Sequence, residues 1–330
     1  MTKVLRIGIL GTGWIAEKMA RTISGMDEER GIQLFAVASR SLDKARLFAT
    51  QWNIPKAFGS YDELASDKEV DLIYVATPHS EHFNNVMMAM QHEKAVLCEK
   101  AFTACAWQTE EILSYAHQHK VFVTEAIWTR YMPFSQEIVN HVNSGIIGTP
   151  KMLTANLCYP NISKPRMHRP DLAGGALLDL GVYTLNFAAM IFGTDIVSSV
   201  STAILTDTGV DASNTIVLNY SNNRQAVLSS SNLVKSDRQG IISGDKGHII
   251  VDNINNPNHI DIVGNDYQKI ASFDCPKQIT GYEYQVYACA DALSKGLIES
   301  PFMPHNETLR IMRQMDDLRA QWGVRYPWDK

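Results

Sequence analysis

Asp179 and Tyr183 stand four residues apart in the stretch Gly174-Gly175-Ala176-Leu177-Leu178-Asp179-Leu180-Gly181-Val182-Tyr183. If they lie on one helical turn they face the same way, so a carboxylate and a phenol could share one cleft. A second reactive group, Lys100, sits in Cys98-Glu99-Lys100-Ala101-Phe102-Thr103, directly after a short run with the character of a buried strand. A third segment, Glu125-Ala126-Ile127-Trp128-Thr129-Arg130-Tyr131, adds an indole, a guanidinium and a further phenol. Each group also has a purely structural reading: Lys100 as a charge at a helix approach, Asp179 as a cap, Tyr183 as a half-buried residue with a satisfied hydroxyl, and Trp128, Arg130 and Tyr131 as packing. His79 and His82 have HxxH spacing, but no further ligands accompany them, and no metal is expected. The five cysteines are scattered without CxxC spacing and read as reduced thiols rather than a disulfide framework or a zinc site.

The elements that must position these groups change style along the chain. Up to about residue 125, short β-branched runs (Arg6 to Leu10, Leu34 to Ala38, Leu72 to Ala76, Ala95 to Cys98 and Val121 to Thr124) alternate with amphipathic segments such as Ser41 to Trp52, His79 to Gln91 and Ala106 to His119. That alternation builds a parallel sheet from βαβ units. Beyond Pro133 come a helix near Phe134 to Ser144, a glycine-rich turn and a second helix near Gly181 to Phe192. From Val197 to Phe273 strand-like alternation is cut by Asn, Asp, Ser and Gly clusters, the pattern of an open antiparallel sheet. Two helices, near Glu283 to Lys295 and Asn306 to Gln321, close the chain. The expected fold class is α/β: a doubly wound Rossmann-type parallel sheet over residues 1–125, then an α+β domain with an open, predominantly antiparallel sheet over residues 126–330.

Gly11-Thr12-Gly13-Trp14-Ile15-Ala16 falls between the first predicted strand and the first predicted helix, the context a dinucleotide fingerprint requires. Gly11 would permit the tight turn, Gly13 the close approach of backbone to a pyrophosphate, and Ala16 tight helix–strand packing. The anion would meet the free N–H groups and positive dipole end of the helix. The second strand ends Ala38-Ser39-Arg40-Ser41, with no carboxylate to read the ribose hydroxyls of NAD. Ser39, Arg40 and Ser41 can instead donate to a 2′-phosphate, which favours NADP over NAD. At the end of another strand, Thr77 and Pro78 are expected to line the nicotinamide crevice, with His79 and His82 opening the next helix.

Bulk properties bound the alternatives. A chain of 330 residues exceeds what one hydrophobic core usually serves. It is 45% hydrophobic and 20% charged, an ordinary globular composition. A net charge of -5, with no Lys/Arg cluster, argues against nucleic acid as a partner. Residues 1–3 run straight into Val4 to Leu10, leaving no room for a secretory signal, and no apolar run approaches a bilayer span. A cytoplasmic protein without a membrane partner is expected.

The segments around Lys100, Glu125 to Tyr131 and Ala173 to Leu185, in that order, resemble the glucose–fructose oxidoreductase and inositol dehydrogenase (Gfo/Idh/MocA) family over essentially the whole chain. Within it, EAIWTRY (125–131), AGGALLDLGVYTL (173–185) and the Ser39-Arg40 tip look most like the branch of dimeric dihydrodiol dehydrogenase and NADP-dependent D-xylose dehydrogenase. The family's usual Glu-Lys-Pro triplet is here Glu99-Lys100-Ala101. The resemblance implies hydride transfer between a nicotinamide and a carbon bearing a hydroxyl in a sugar, polyol or cyclic trans-diol, with Glu99 and Lys100 near the cofactor. Oxidising such a carbon requires a base within reach of the hydroxyl proton. Free tyrosine ionises near pH 10, too high for a good base at neutrality, and a neighbouring ammonium favours the phenolate. The roles implied are Tyr183 as acid/base, Lys100 as its electrostatic partner and a donor to the substrate hydroxyl, and Asp179 as the group orienting substrate or lysine. Exchange of the Tyr183 and Lys100 roles is the alternative. Trp128, Arg130 and Tyr131, with Arg166, His168 and Arg169 on the loop before the glycine turn, are candidate substrate contacts. Two other functions compete: a non-net redox enzyme with tightly held cofactor, and a dinucleotide-sensing regulator without catalysis. A homodimer is expected by analogy, through the open sheet.

Overall fold

Residues Leu72–Val75 are buried at all four positions and Ala95–Glu99 at all five. Strands without a polar face belong in a sheet covered on both sides. The computed structural model describes residues 4–26 and 30–330, which fall into two units. The first unit runs to Trp128 and includes Gln278–Met312. Its sheet contains β1 (Leu5–Leu10), β2 (Ile32–Ala38), β3 (Lys56–Phe58), β4 (Leu72–Val75), β5 (Ala95–Glu99) and β6 (Val123–Ala126). The order is β3-β2-β1-β4-β5-β6 and every pairing is parallel. The connections diverge between β1 and β4, a switch point at whose carboxyl end sheets of this kind bind ligands.

Strand β3 and the helix Tyr61–Ser66 go beyond the expected elements. β3 has three residues of intermediate exposure, too few to display a period. The chain also returns to this unit after residue 277, although the change of sequence style suggested a single boundary near residue 125. Side-chain contacts account for the return. Trp128 stacks on Tyr282 with ring centres 4.3 Å apart, Thr22 and Thr280 share a hydrogen bond of 2.6 Å, and His305 Nε2 lies 2.9 Å from the Val123 carbonyl.

The second unit comprises Thr129–Lys277 and Arg313–Lys330. Its eight strands are β7 (Pro150–Cys158), β8 (Ile196–Leu205), β9 (Asp211–Tyr220), β10 (Arg224–Ser231), β11 (Gly240–Gly244), β12 (Gly247–Val251), β13 (His259–Gly264) and β14 (Lys269–Asp274). They lie in the order β14-β13-β12-β11-β7-β10-β9-β8. β7 pairs with β10 in parallel, and the other pairings are antiparallel. Alternation directs Leu153, Ala155 and Leu157 of β7, Ile216 and Leu218 of β9, and Ala226 and Leu228 of β10 into the core. The helix Val182–Phe192 packs on β7 and β10. β7 is central yet was not anticipated, because Lys151, Thr154 and Asn156 break up its apolar signal.

One stretch, Pro170–Phe192, is long and apolar enough to cross a bilayer by composition, contrary to the reading of the sequence. It folds instead as a short helical turn, a five-residue π-helical turn and an α-helix, with 89% of its most apolar window buried in the protein.

Candidate active site

In the first unit the glycine-rich loop leaves β1 and enters the helix Trp14–Ser24. Gly11 has φ of +107°, and a Cβ there would come within 3.0 Å of the Ala76 carbonyl oxygen, so the turn demands glycine. The Gly11 N–H donates to Ala38 O at 2.9 Å and ties the loop to the end of β2. Gly13 is exposed and its missing Cβ would face open space, which leaves room for a ligand against the backbone. Gly13 occupies the N-cap and supplies no side-chain cap to the helix's first amides. An exposed glycine turn leading into an uncapped helix fits a dinucleotide pyrophosphate. Thr12 and Ile15 are half-buried and Ala16 is fully buried against the sheet, whereas Trp14 is 72% exposed.

At the end of β2, Ser39 is buried, Arg40 is exposed, and Ser41 caps the helix Leu42–Trp52 by accepting from the Lys44 N–H. The Tyr61 phenol lies within the field of Arg40 and of Glu81; burial raises its pKa, the Arg40 charge opposes that shift and Glu81 adds to it. Tyr61 therefore joins the candidate adenosine-side residues. Nothing in its sequence spacing announced it, because its place depends on the unanticipated β3.

The loops after β4 and β5 are held by one buried histidine. His82 Nε2 lies 2.8 Å from the Thr77 carbonyl oxygen and its Nδ1 lies 2.9 Å from that of Ala101. Burial holds its pKa below the ordinary value. His82 thus bridges the two loops, and as a neutral ring it donates its single N–H to one of the two carbonyls. Thr77 accepts from Asn85 Nδ2 at 3.0 Å, Pro78 is exposed, and His79 starts the helix His79–Gln91 with its ring edge-on to His82. Glu99 is buried and accepts from the Tyr74 hydroxyl. Lys100 is half-buried, and the Lys100–Ala101 peptide bond is cis.

In the second unit, the π-helical turn Leu177–Gly181 feeds directly into the helix Val182–Phe192. Asp179 lies on this turn and Tyr183 in the first turn of the helix, and they are 6% and 7% exposed. Arg166 Nη1 donates to Asp179 Oδ1 at 3.1 Å. Of the remaining candidate substrate contacts, Arg169 is engaged with Asp171, His168 Nδ1 is 3.0 Å from the Ile162 carbonyl, and Arg130 donates to Asn186 Oδ1 on the same helix as Tyr183. Tyr131 is buried, and Trp128, stacked on Tyr282, belongs to the first unit. Packing and neighbouring side chains therefore engage most of this set, and Arg166 is bonded to Asp179, a carboxylate of the proposed chemistry.

Two family models match the chain: the oxidoreductase family with an NAD-binding Rossmann fold over residues 5–127, and the GFO/IDH/MocA C-terminal domain over residues 135–250. The trans-1,2-dihydrobenzene-1,2-diol dehydrogenase of Xenopus laevis is 37% identical, covering 97% of this chain and 98% of its own. The chain belongs to the GFO/IDH/MocA oxidoreductase family. The human dihydrobenzenediol dehydrogenase is 32% identical, with 99% of both chains covered, and the D-xylose 1-dehydrogenase (NADP(+)) of Hypocrea jecorina is 33% identical, covering 98% of this chain and 93% of its own. The fold also matches a 3-ketoreductase from Actinomadura kijaniata solved with NADP, at a TM-score of 0.87, 22% identity and coverage of 96% and 98%. Membership makes this protein an NAD(P)-linked oxidoreductase that acts on hydroxyl-bearing carbons.

Proposed function

We propose that the protein is an NADP-linked dehydrogenase of a sugar, polyol or cyclic trans-diol, working in the cytoplasm as a homodimer. The observation that carries the cofactor preference is the tip of β2, where Ser39, Arg40 and Ser41 stand and no carboxylate is available for the ribose hydroxyls. The relatives named for dihydrobenzenediol and for D-xylose with NADP support the substrate class. Five free thiols, four of them buried, are in keeping with a reducing compartment.

When bound, the nicotinamide cofactor supplies the hydride acceptor. Gly11, Thr12, Gly13, Trp14 and Ile15 would hold its pyrophosphate; Ser39, Arg40 and Ser41 its 2′-phosphate; and Thr77, Pro78, His79, Glu99 and Lys100 its nicotinamide side, with His82 bracing the loops. Tyr183 takes the substrate hydroxyl proton at its phenolate oxygen and returns it in the reverse reaction. Lys100 stabilises that phenolate and donates to the substrate hydroxyl through Nζ. Asp179, clamped by Arg166, orients substrate or lysine. Retention of all three groups favours catalysis over a sensing role. Exposed Val197, Val200, Ile204 and Leu205 on β8 support self-association through the sheet.

A screen of aldoses, inositols and cyclic trans-diols, following reduced-cofactor absorbance, tests the reading. Turnover with at least one class, faster with NADP than NAD, is expected. No turnover with any of them, or a preference for NAD, would contradict it.

A further inference from the structure

Asp211 opens β9 and is fully buried, and the chemistry above makes no use of it. Its Oδ2 accepts two hydrogen bonds, from the Leu177 N–H and from Asn214 Nδ2, each at 2.8 Å. Leu177 is the first residue of the π-helical turn that carries Asp179, and its N–H is one of the amides a helix start leaves without an internal partner. Asp211 therefore caps that turn from a neighbouring strand. The second carboxylate oxygen, Oδ1, has no hydrogen-bond partner among the described residues and presses on Gly175, where a Cβ would sit 2.3 Å away. Gly175, at φ +123°, is the residue that admits the carboxylate.

The same network reaches the other end of the turn. Asn214 Oδ1 accepts from Ser230 Oγ at 3.0 Å, and Ser230 Oγ lies 3.2 Å from the point that a Cβ on Gly181 would occupy. Leu177 and Gly181, the two ends of the turn, are thus both seated on one buried polar cluster.

We propose that Asp211 is a positioning residue for Asp179 and Tyr183, and that turnover follows the charge on its carboxylate. The proposal rests on the roles given to those two residues above. A carboxylate accepts the Leu177 and Asn214 hydrogen bonds more strongly than a carboxylic acid does, so protonation loosens the start of the turn. Burial pushes the Asp211 carboxyl up to about 7, against the two hydrogen bonds and the charge of Arg319. Arg319 faces it from the closing helix and is itself paired with Asp316 and Asp329.

Stability and turnover then respond to pH in opposite senses. A carboxyl whose folded pKa is raised above about 3.9 binds its proton more tightly in the native state. The stability it contributes is full below that value and is lost as pH rises through about 7. Turnover gains over the same rise, because the ionised form anchors the turn.

The test uses the full chain with NADP and the best substrate of the screen. Wild type is expected to show an acid limb in kcat near pH 7. Asp211→Asn is expected to lower kcat at pH 8 about tenfold and to remove that limb, leaving the KM for NADP unchanged. Its thermal midpoint at pH 8 should equal or exceed that of wild type, because no buried charge remains. Asn214→Ala removes one of the two donors to the charged form and should move the limb to higher pH. Wild-type kcat and limb in Asp211→Asn would overturn the proposal, as would a midpoint that falls along with kcat, the mark of a merely structural role. A readout independent of turnover is the Leu177 amide resonance in selectively labelled protein. It should titrate near pH 7 in wild type and not in Asp211→Asn, and a flat wild-type response would overturn the proposal. Wild-type turnover in Tyr183→Phe would count against the acid/base assignment alone, leaving the Leu177 titration to decide Asp211.

Discussion

At the scale of the residue, a few side chains carry most of the chemistry and their neighbours decide how. Arg40 is exposed at the tip of β2 and makes no ion pair among the described residues, so its guanidinium is available to a phosphate. Charge-assisted hydrogen bonds of this kind contribute about 1.5–3 kcal/mol. Arg40→Ala should therefore weaken NADP about 10- to 100-fold and NAD hardly at all, as read by fluorescence titration of the reduced cofactors. Equal weakening of both would remove the basis for the NADP assignment. Arg166 carries a different lesson. On sequence it was one of three basic residues on a loop, and the structure singles it out by its bond to Asp179 while Arg169 turns to Asp171.

At the scale of the element, the two sheets present contrasting surfaces. Strands β4, β5 and β6 of the parallel sheet are buried at every position, whereas β8 at the edge of the second sheet exposes Val197, Val200, Ile204 and Leu205 at 68%, 66%, 62% and 41%. An edge strand with this many exposed apolar side chains is a hazard unless something covers it. If a second copy does so, the combined Val200→Lys and Ile204→Lys change should halve the mass seen by light scattering, from twice 36.9 kDa to 36.9 kDa. A wild-type mass of 36.9 kDa would dismiss the dimer. The helices His79–Gln91 and Ala106–His119 match the sequence reading at both ends, because an amphipathic period over 13 or 14 residues is a strong signal. The weaker signals failed where they were short or mixed. β3 is three residues long, β7 alternates with polar side chains, and the π-helical turn inside Leu177–Gly181 looks in sequence like the start of an ordinary helix. Asp211 escaped notice for a related reason: Thr206-Asp207-Thr208-Gly209-Val210-Asp211 reads as a polar turn, and only the fold buries its last carboxylate. Lys100, Asp179, Tyr183, His82 and Arg166 enter as candidates on sequence, but the contacts of His82 with the Thr77 and Ala101 carbonyls and of Arg166 with Asp179 depend on the fold and had no signal there.

At the scale of the whole molecule, two units divide the labour proposed for them. The first supplies the glycine turn, the Arg40 tip and Lys100, and the second supplies Asp179 on a buried π-helical turn and Tyr183 on the helix that the turn feeds. Binding of cofactor and removal of a hydroxyl proton should therefore be separable by mutation. The decisive measurement is turnover beside NADPH affinity in Tyr183→Phe and Lys100→Met. Loss of a positioned acid/base typically removes a factor of about 100 to 10,000 in rate. The account predicts a loss of that order in kcat for both variants, with the NADPH dissociation constant of Tyr183→Phe within about threefold of wild type. Near wild-type turnover in either variant would contradict it.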